Sequence, residues 1–320
     1  MKIRYSLSLL AILTNATFLC VLPTEVKAAN NIVMKEEEKA ELTQEEKEAI
    51  FENVQKELLN YSITLNPDNI IKDKVLNFSG KLNNKTTEEK QKIISNIFKL
   101  TWLKKLYLDY NNLESLTDKI GNLTNLEYIT LSNNKLISLP DKIGNLTNLK
   151  KLFISSNQLT SLPDKIGNLI NLEELFSGCN KLTSLPDTIG NLTNLTFLSL
   201  LANKLTFLPD SIGNLVNLKN LSLLRNELTF IPASIQNIQT LTELVLRSNP
   251  YLLPSSDNPL QWGKEQLRAH FRDRILLDEP RIIHMPDSTT KEEVYAALDE
   301  NSLRINRDVF YCQQITRYSS

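Results

Sequence analysis

The residue types that perform catalysis or hold metals are scarce in this chain of 320 residues. It has two histidines, His270 and His284, and three cysteines, Cys20, Cys179 and Cys312. That number is too small for a Cys/His metal cluster, and neither histidine stands beside a Ser or Cys motif of nucleophilic catalysis. With 8 glycines in all, the chain has no Gly-rich phosphate loop of either common type. The sequence therefore predicts no catalytic residue, no metal site and no cofactor.

The composition is that of an ordinary folded protein. Hydrophobic residues make up 41% of the chain and charged residues 23%. The formal net charge is −1, which argues against a nucleic-acid-binding protein that relies on a strongly basic field. We therefore expect no nucleic-acid partner.

One 23-residue motif is repeated seven times in the middle of the chain. It reads Leu-x-x-Leu-x-Leu-x-x-Asn-x-Leu-x-x-Leu-Pro-x-x-Ile-Gly-Asn-Leu-x-x, and the copies begin at Leu103, Leu126, Leu149, Leu172, Leu195, Leu218 and Leu241. The Leu-x-Leu alternation predicts a short strand with both leucines on one face, and successive strands would stack in parallel. Because no single copy can bury its own leucines, the array predicts one continuous core.

This motif and its period resemble the leucine-rich repeat family, in the subtype with repeats of 23 residues. The resemblance covers residues 100–254, close to half of the chain. It implies an α/β solenoid, a horseshoe with a parallel β-sheet on its concave face and helical caps at both ends.

An asparagine follows each predicted strand, once in every copy. A buried Asn amide carries two donors and one carbonyl acceptor, so it can satisfy backbone groups of neighbouring turns. We predict a structural ladder formed by Asn111, Asn134, Asn157, Asn180, Asn203, Asn226 and Asn249. Five copies also carry a proline that fixes φ where the returning segment starts, and five carry a glycine that favours close approach or backbone freedom.

The N-terminus is typical of a secretory signal peptide. Lys2 and Arg4 precede a mostly apolar run, and Val26-Lys27-Ala28 offers the small residues of a cleavage site. We predict cleavage after Ala28, a secreted or periplasmic protein, and no stable membrane span afterwards; an uncleaved anchor is the alternative. Cys179 and Cys312 are then the remaining cysteines, and the sequence favours two unpaired thiols over a bridge.

Four segments can be assigned from these patterns. They are the signal peptide (1–28), a helical N-terminal cap with a degenerate first repeat (29–100), the seven repeats (101–255), and a C-terminal cap helix with a tail (256–320). Thr86-x-x-Glu89 reads as a capping box of a helix in the N-terminal cap. The stretch from Trp262 to Phe271 predicts the closing helix, and Thr290-x-x-Glu293 predicts one more.

The x positions of the predicted strands define the concave face. Several are aromatic or leucine, and a contiguous exposed apolar patch marks an interaction site more often than not. The alternative is that the aromatics only favour strand structure. The predicted partner-binding residues are Tyr107, Tyr128, Phe153, Phe176, Phe197, Leu201 and Leu224, with Lys151 and Glu174 as a polar rim.

The sequence therefore predicts an exported, non-catalytic protein–protein interaction module whose concave face binds a macromolecular partner. A host-directed effector or surface protein is one form of this hypothesis. The alternative is an enzyme-linked effector, since some bacterial leucine-rich repeat effectors carry a C-terminal ubiquitin-ligase domain with a catalytic cysteine. Cys312 would then act on ubiquitin or a peptide, but only residues 256–320 come after the repeats and they hold no matching motif.

Overall fold

The computed structural model describes residues 41–254, 258–272 and 275–277. The chain divides into two units, Met1–Thr43 and Gln44–Ser320, and the elements below all belong to the second. The predicted signal peptide, the predicted helix after Thr290 and the tail lie outside the described residues. None of the described helices has the length and apolar character needed to cross a membrane.

A parallel sheet of nine short strands runs through the second unit. In spatial order the strands are β1 (Val75–Asn77), β2 (Lys105–Tyr107), β3 (Tyr128–Thr130), β4 (Lys151–Phe153), β5 (Glu174–Phe176), β6 (Phe197–Ser199), β7 (Asn220–Ser222), β9 (Glu243–Val245) and β11 (Ile275–Leu276). From β2 to β9 each residue pairs with its equivalent one repeat later, as in Leu152 with Leu175. The middle residue of each of these strands is a buried Leu or Ile that packs into the shared core. The predicted α/β solenoid with a parallel sheet is confirmed.

The returning segments are 3-10 turns rather than α-helices. They span Asp118–Asn122, Asp141–Asn145, Asp164–Asn168, Asp187–Asn191, Asp210–Asn214 and Ala233–Asn237. The predicted prolines (Pro140, Pro163, Pro186, Pro209 and Pro232) precede the last five turns, with φ between −68° and −62°. The pyrrolidine ring holds φ near this value, so each proline fixes how the chain enters its turn.

The repeated glycines are needed because neighbouring turns approach closely. A Cβ added to Gly167 would lie 2.5 Å from the backbone oxygen of Thr188 in the next turn. The same holds for Gly213, whose added Cβ would lie 2.4 Å from the oxygen of Ser234. The equivalent residue of the last 3-10 turn is the exposed Gln236. The last of the described 3-10 turns therefore lacks the glycine, and the described residues place no further 3-10 turn after it.

The N-terminal cap contains two α-helices, α1 (Gln44–Leu59) and α2 (Thr87–Ile97), and a π-helical turn at Asp68–Lys72. The backbone N–H of Glu89 donates to Thr86 Oγ1 at 3.2 Å, and the N–H of Thr86 donates to the Glu89 carboxylate at 2.7 Å, which is the predicted capping box. The indole N–H of Trp102 donates to the backbone oxygen of Ile70 at 2.9 Å. This bond ties the π-helical turn to the first repeat.

The C-terminal end of the repeats is closed by α3 (Lys264–Phe271), from which Leu267 and Phe271 enter the core. The predicted start of this helix at Trp262 is wrong. Gln261–Trp262 forms strand β10, which pairs antiparallel with β8 (Ile231–Pro232), and the helix begins after Gly263. This local pairing of a two-residue strand leaves no pattern in a single sequence.

Candidate interaction surface on the outer face of the sheet

The side chains that point away from the leucine core form the outer face of the sheet. It is built from the first and third residues of each strand, together with the residue two positions after the strand end. Because equivalent residues pair across neighbouring strands, one repeat period brings these positions into three columns. All seven predicted partner-binding residues belong to these columns.

Five aromatic rings on successive strands form a continuous row, here called the aromatic row. Its members are Tyr107, Tyr128, Phe153, Phe176 and Phe197. Ring centroids of neighbours lie between 4.5 and 5.3 Å apart, and Phe153 and Phe176 stack with an interplanar angle of 8°. Phe153 and Phe176 are directly paired in the sheet, whereas the other neighbours are diagonal. Aromatic contacts of this kind stabilise a sheet face beyond their area alone.

The row is less accessible than the sequence suggests. Phe176 and Phe197 are only 6% and 2% exposed, and Leu201 is 2% exposed, so the expectation that these three side chains face water is wrong. Stacking contributes to this, because each ring covers a face of the next. Tyr107, Tyr128, Phe153 and Leu224 are half-buried and keep accessible surface. Truncating Phe176 is therefore expected to cost stability, which a purely surface ring would not.

Charged and amide side chains lie along the first column of the outer face. Lys151 Nζ lies 2.8 Å from a carboxylate oxygen of Glu174 on the neighbouring strand, so the predicted rim residues form an ion pair. Further along, the Asn220 side chain donates to the Glu243 carboxylate at 2.9 Å. The polar rim thus consists of cross-strand pairs.

Two serines occupy the middle of the outer face beyond the aromatic row. Ser199 and Ser222 are directly paired across β6 and β7 and are 1% and 2% exposed. Neither hydroxyl has a hydrogen-bond partner among the described residues. A buried hydroxyl without a partner costs free energy, so this pair calls for an explanation. Ser177, which replaces the usual Leu or Ile on the core side of repeat four, is buried and unpartnered within the same ranges.

One half-buried carboxylate lies at the N-terminal end of the outer face. Asp109 accepts hydrogen bonds from the Ser79 hydroxyl at 3.2 Å, from the backbone N–H of Ser132 at 3.1 Å and from the Thr130 hydroxyl. Burial raises the pKa of Asp109, and these hydrogen bonds only partly oppose the effect. Asp109 is not among the predicted partner-binding residues.

The asparagine ladder lies under the edge of the sheet, where every predicted member is buried. Asn157 shows the geometry: its amide nitrogen donates to the backbone oxygens of Leu131 at 3.0 Å and of Ile154 at 3.1 Å, and its oxygen accepts from the N–H of Leu136 at 3.0 Å. One side chain therefore satisfies backbone groups of two successive repeats. The ladder supports the columns of the outer face from below.

Sequence reasoning missed a second asparagine ladder, although it has the same period. Asn148 donates to the backbone oxygen of Thr124 in the preceding repeat at 2.9 Å, and it is exposed. Equivalent bonds are made by Asn125, Asn171, Asn194 and Asn217. The signal is the second asparagine of the Gly-Asn-Leu-x-Asn-Leu stretch, which recurs every 23 residues.

Cys179 corrects the expectation of unpaired thiols, because it is disulfide-bonded. It lies directly after Gly178 in the bend that leaves β5, with a positive φ of 52°. The described residues contain no second cysteine, and Cys312, the candidate nucleophile, lies outside them. Within the described ranges no group of His, Cys, Asp and Glu could hold a metal ion.

Comparisons with known proteins identify the same kind of repeat. Residues 74–184 match the family described as a leucine-rich repeat region, and curated proteins gave no match. A leucine-rich repeat protein of Leptospira interrogans is 35% identical, with a TM-score of 0.49 over 53% of this chain and 48% of that one. An internalin of Listeria monocytogenes is 25% identical, with a TM-score of 0.45 over 54% of each chain. The ectodomain of the Arabidopsis thaliana receptor kinase GASSHO1/SCHENGEN3, solved with CASPARIAN STRIP INTEGRITY FACTOR 2, is 35% identical, with a TM-score of 0.44 over 48% of this chain and 19% of that one. The chain spans about half or less of the length of these proteins.

Proposed function

We propose that the chain is a leucine-rich repeat interaction module that binds a protein partner through the outer face of its sheet, since residues 74–184 match that family and its strands form one parallel sheet. The observation that carries the proposal is the aromatic row, which runs without a gap over five neighbouring strands. Rigid aromatic side chains are favoured anchors of protein interfaces, because they bury a large area at little cost in conformational entropy.

The accessible part of the row defines where a partner would bind. Tyr107, Tyr128 and Phe153 are half-buried, so their outer edges offer apolar surface while their stacked neighbours hold them in place. The Lys151–Glu174 ion pair lies beside them as a polar rim. An apolar centre with a polar border is the usual arrangement of a protein–protein interface.

Export is part of the same proposal. Cleavage after Ala28 would release the protein into the periplasm or the medium, where a host-directed or surface role becomes accessible to it. N-terminal sequencing of protein from the native cell should then read Ala29 as the first residue. Protein that retains Met1 would contradict the export step.

Binding is tested by truncating Phe153, the accessible ring at the centre of the row. In Phe153→Ala, affinity for a captured partner should fall about 30-fold, the equivalent of losing about 2 kcal/mol at an interface anchor. The matched control is Ile170→Ala, since Ile170 is an apolar side chain, 54% exposed, that lies outside the strands. Surface plasmon resonance measures both variants against the same partner. Equal affinity of Phe153→Ala and the wild type would show that the outer face is not the binding surface.

A further inference from the structure

Exposed apolar side chains lie outside the parallel sheet, near the C-terminal end of the repeats. Phe207 is 55% exposed, Leu253 is 44% exposed, and Phe230 in the intervening repeat is half-buried. We propose that these three side chains, here called the phenylalanine patch, form a self-association surface at which two protomers pack antiparallel about a two-fold axis. The inference goes beyond the proposed function, because no residue of the patch belongs to the columns of the outer face.

The patch begins where the repeat changes at one position, two residues before the consensus proline. The first four repeats carry a serine there: Ser115, Ser138, Ser161 and Ser184. Repeats five and six carry Phe207 and Phe230 instead. The first four repeats show that a serine meets the structural requirement at this position, so the fold does not require the phenylalanines. A large apolar side chain that is exposed and not needed for folding points to a contact outside the chain.

Backbone hydrogen bonds bring the three side chains together. The N–H of Thr229 donates to the backbone oxygen of Thr206 at 3.2 Å, and the N–H of Leu253 donates to the oxygen of Thr229 at 3.0 Å. The segments that carry the patch therefore run side by side, at a spacing of about 4.8 Å. Since Phe207 and Phe230 hold the same place in neighbouring segments, they form one apolar surface.

The charges beside the patch favour a second protomer as its occupant. Lys204 and Glu227 stand three residues before Phe207 and Phe230, and both are exposed. In no other repeat is this position acidic. A two-fold axis between repeats five and six reverses their order, so Lys204 faces Glu227 of the partner subunit, and Phe207 faces Phe230 of the partner subunit. The surface is thus complementary to itself both in charge and in apolar contact.

A lipid surface is the competing occupant of an exposed apolar patch. Asp210 and Glu227 each stand three residues from one of the phenylalanines, and both are exposed. Membrane-binding surfaces combine apolar side chains with Lys and Arg, because anionic lipid repels carboxylates. A protein surface that carries both signs of charge therefore fits the patch better than a bilayer.

The size of the patch predicts a weak dimer. A fully buried aromatic side chain removes about 150–250 Å² from water, so about 100 Å² of Phe207 is available for contact. A standard interface buries about 800 Å² on each partner, and the three side chains of the patch supply less than half of this area. Interfaces at the low end of the size range are reversible, so we expect a dissociation constant in the micromolar range.

Sedimentation equilibrium of the mature protein at several concentrations tests the dimer. The wild type should follow a reversible monomer–dimer equilibrium. Phe207→Ser should weaken it at least about 100-fold, because a two-fold interface contains the residue twice. This variant should fold, since Ser184 holds the equivalent position one repeat earlier. The matched control is Ile137→Thr, which removes a 58% exposed apolar side chain elsewhere in the repeats and introduces the residue type of Thr160, one repeat later; it should match the wild type.

Exchanging the two charges tests the antiparallel arrangement. Lys204→Glu and Glu227→Lys each place like charges opposite one another, so each should weaken the dimer about tenfold or more. The double variant restores opposite charges across the axis and should dimerise like the wild type. If the two losses add in the double variant, the repeats do not meet in reversed order.

Three results would overturn the self-association surface. They are a wild type that stays monomeric at sub-millimolar concentration, a dimer that Phe207→Ser leaves intact, and a dimer that persists as a covalent pair on a non-reducing denaturing gel. A monomer that binds phosphatidylcholine vesicles through Phe207 would assign the patch to a lipid surface instead. Phe153→Ala should keep the dimer, so partner binding at the outer face and self-association at the patch are lost in different variants, and either proposal can fail alone.

Discussion

Replacing Asn157 by Ala tests the central structural feature of the repeats. The side chain makes three hydrogen bonds of 3.0 to 3.1 Å to buried backbone groups of two successive repeats. Each such bond contributes about 1 kcal/mol net, and groups that remain buried without a partner cost about 1–3 kcal/mol. We therefore expect Asn157→Ala to lower the free energy of unfolding by about 3 kcal/mol.

The control is Asn148→Ala, at the end of the preceding repeat. Asn148 is exposed and makes one bond, to the backbone oxygen of Thr124, which water can replace. Its loss should cost less than about 1 kcal/mol. Urea unfolding followed by circular dichroism gives both values from the shift of the midpoint. If the two variants unfold at the same urea concentration, burial of the amide is not what stabilises the stack.

Three further features of the molecule are tested by substitution. Gly213→Ala should lower the free energy of unfolding by about 2 kcal/mol or more, because its Cβ would lie 2.4 Å from the backbone oxygen of Ser234 in the next turn. Gln236→Ala, at the equivalent position of the last turn, should change it by less than about 0.5 kcal/mol in the same thermal unfolding experiment. Since burial raises the pKa of Asp109, the folded state keeps this carboxyl protonated at a higher pH than the unfolded state does. The free energy of unfolding should therefore fall as pH rises above the ordinary aspartate pKa. Urea unfolding at a series of pH values should show a weaker pH dependence of stability for Asp109→Asn than for the wild type. Ala202→Gly should raise stability by about 0.5–1 kcal/mol, because Ala202 has a φ of 51°, in the left-handed region where a Cβ is strained. Ala269→Gly, in the helix α3, should lower stability by a similar amount in the same calorimetric experiment. A stabilised Ala269→Gly or a destabilised Ala202→Gly would contradict the backbone argument.

The regular part of the fold could be predicted because one physical requirement is repeated seven times. Leu152 and Leu175 pair in the sheet because they hold the same place in successive copies, and the strands β2 to β7 and β9 all obey the same rule. The prolines and the ladder asparagines act locally, on their own turn or on the next repeat, so their roles can be read from their spacing. Even the replacement of the glycine by Gln236 is visible in the sequence, although its meaning depends on which turns pack against one another in space.

The candidate site was predicted less well, because exposure depends on neighbours that spacing does not specify. The period places Phe176 and Phe197 on the outer face, but it does not tell that their rings stack at 4.7 Å and lose their accessible surface. The bend before each ladder asparagine is a similar case. Residues such as Cys179 and Ala202 have a positive φ there. No copy has a glycine at this position, so the sequence does not indicate the left-handed backbone conformation.

Comparison of the copies with one another separates structural from functional positions. Core, ladder and turn positions keep nearly the same residue in each copy, because each must fit the copy before it and the copy after it. The outer-face columns vary from copy to copy, and aromatic residues occupy them on five neighbouring strands from β2 to β6 and stop there. Strand propensity alone would apply equally to β7 and β9, where the outer-face residues are Asn220, Ser222, Glu243 and the strand-forming Val245, none of them aromatic. The restriction of the aromatic row to one end of the sheet therefore favours a binding surface over a general preference for strand-forming residues.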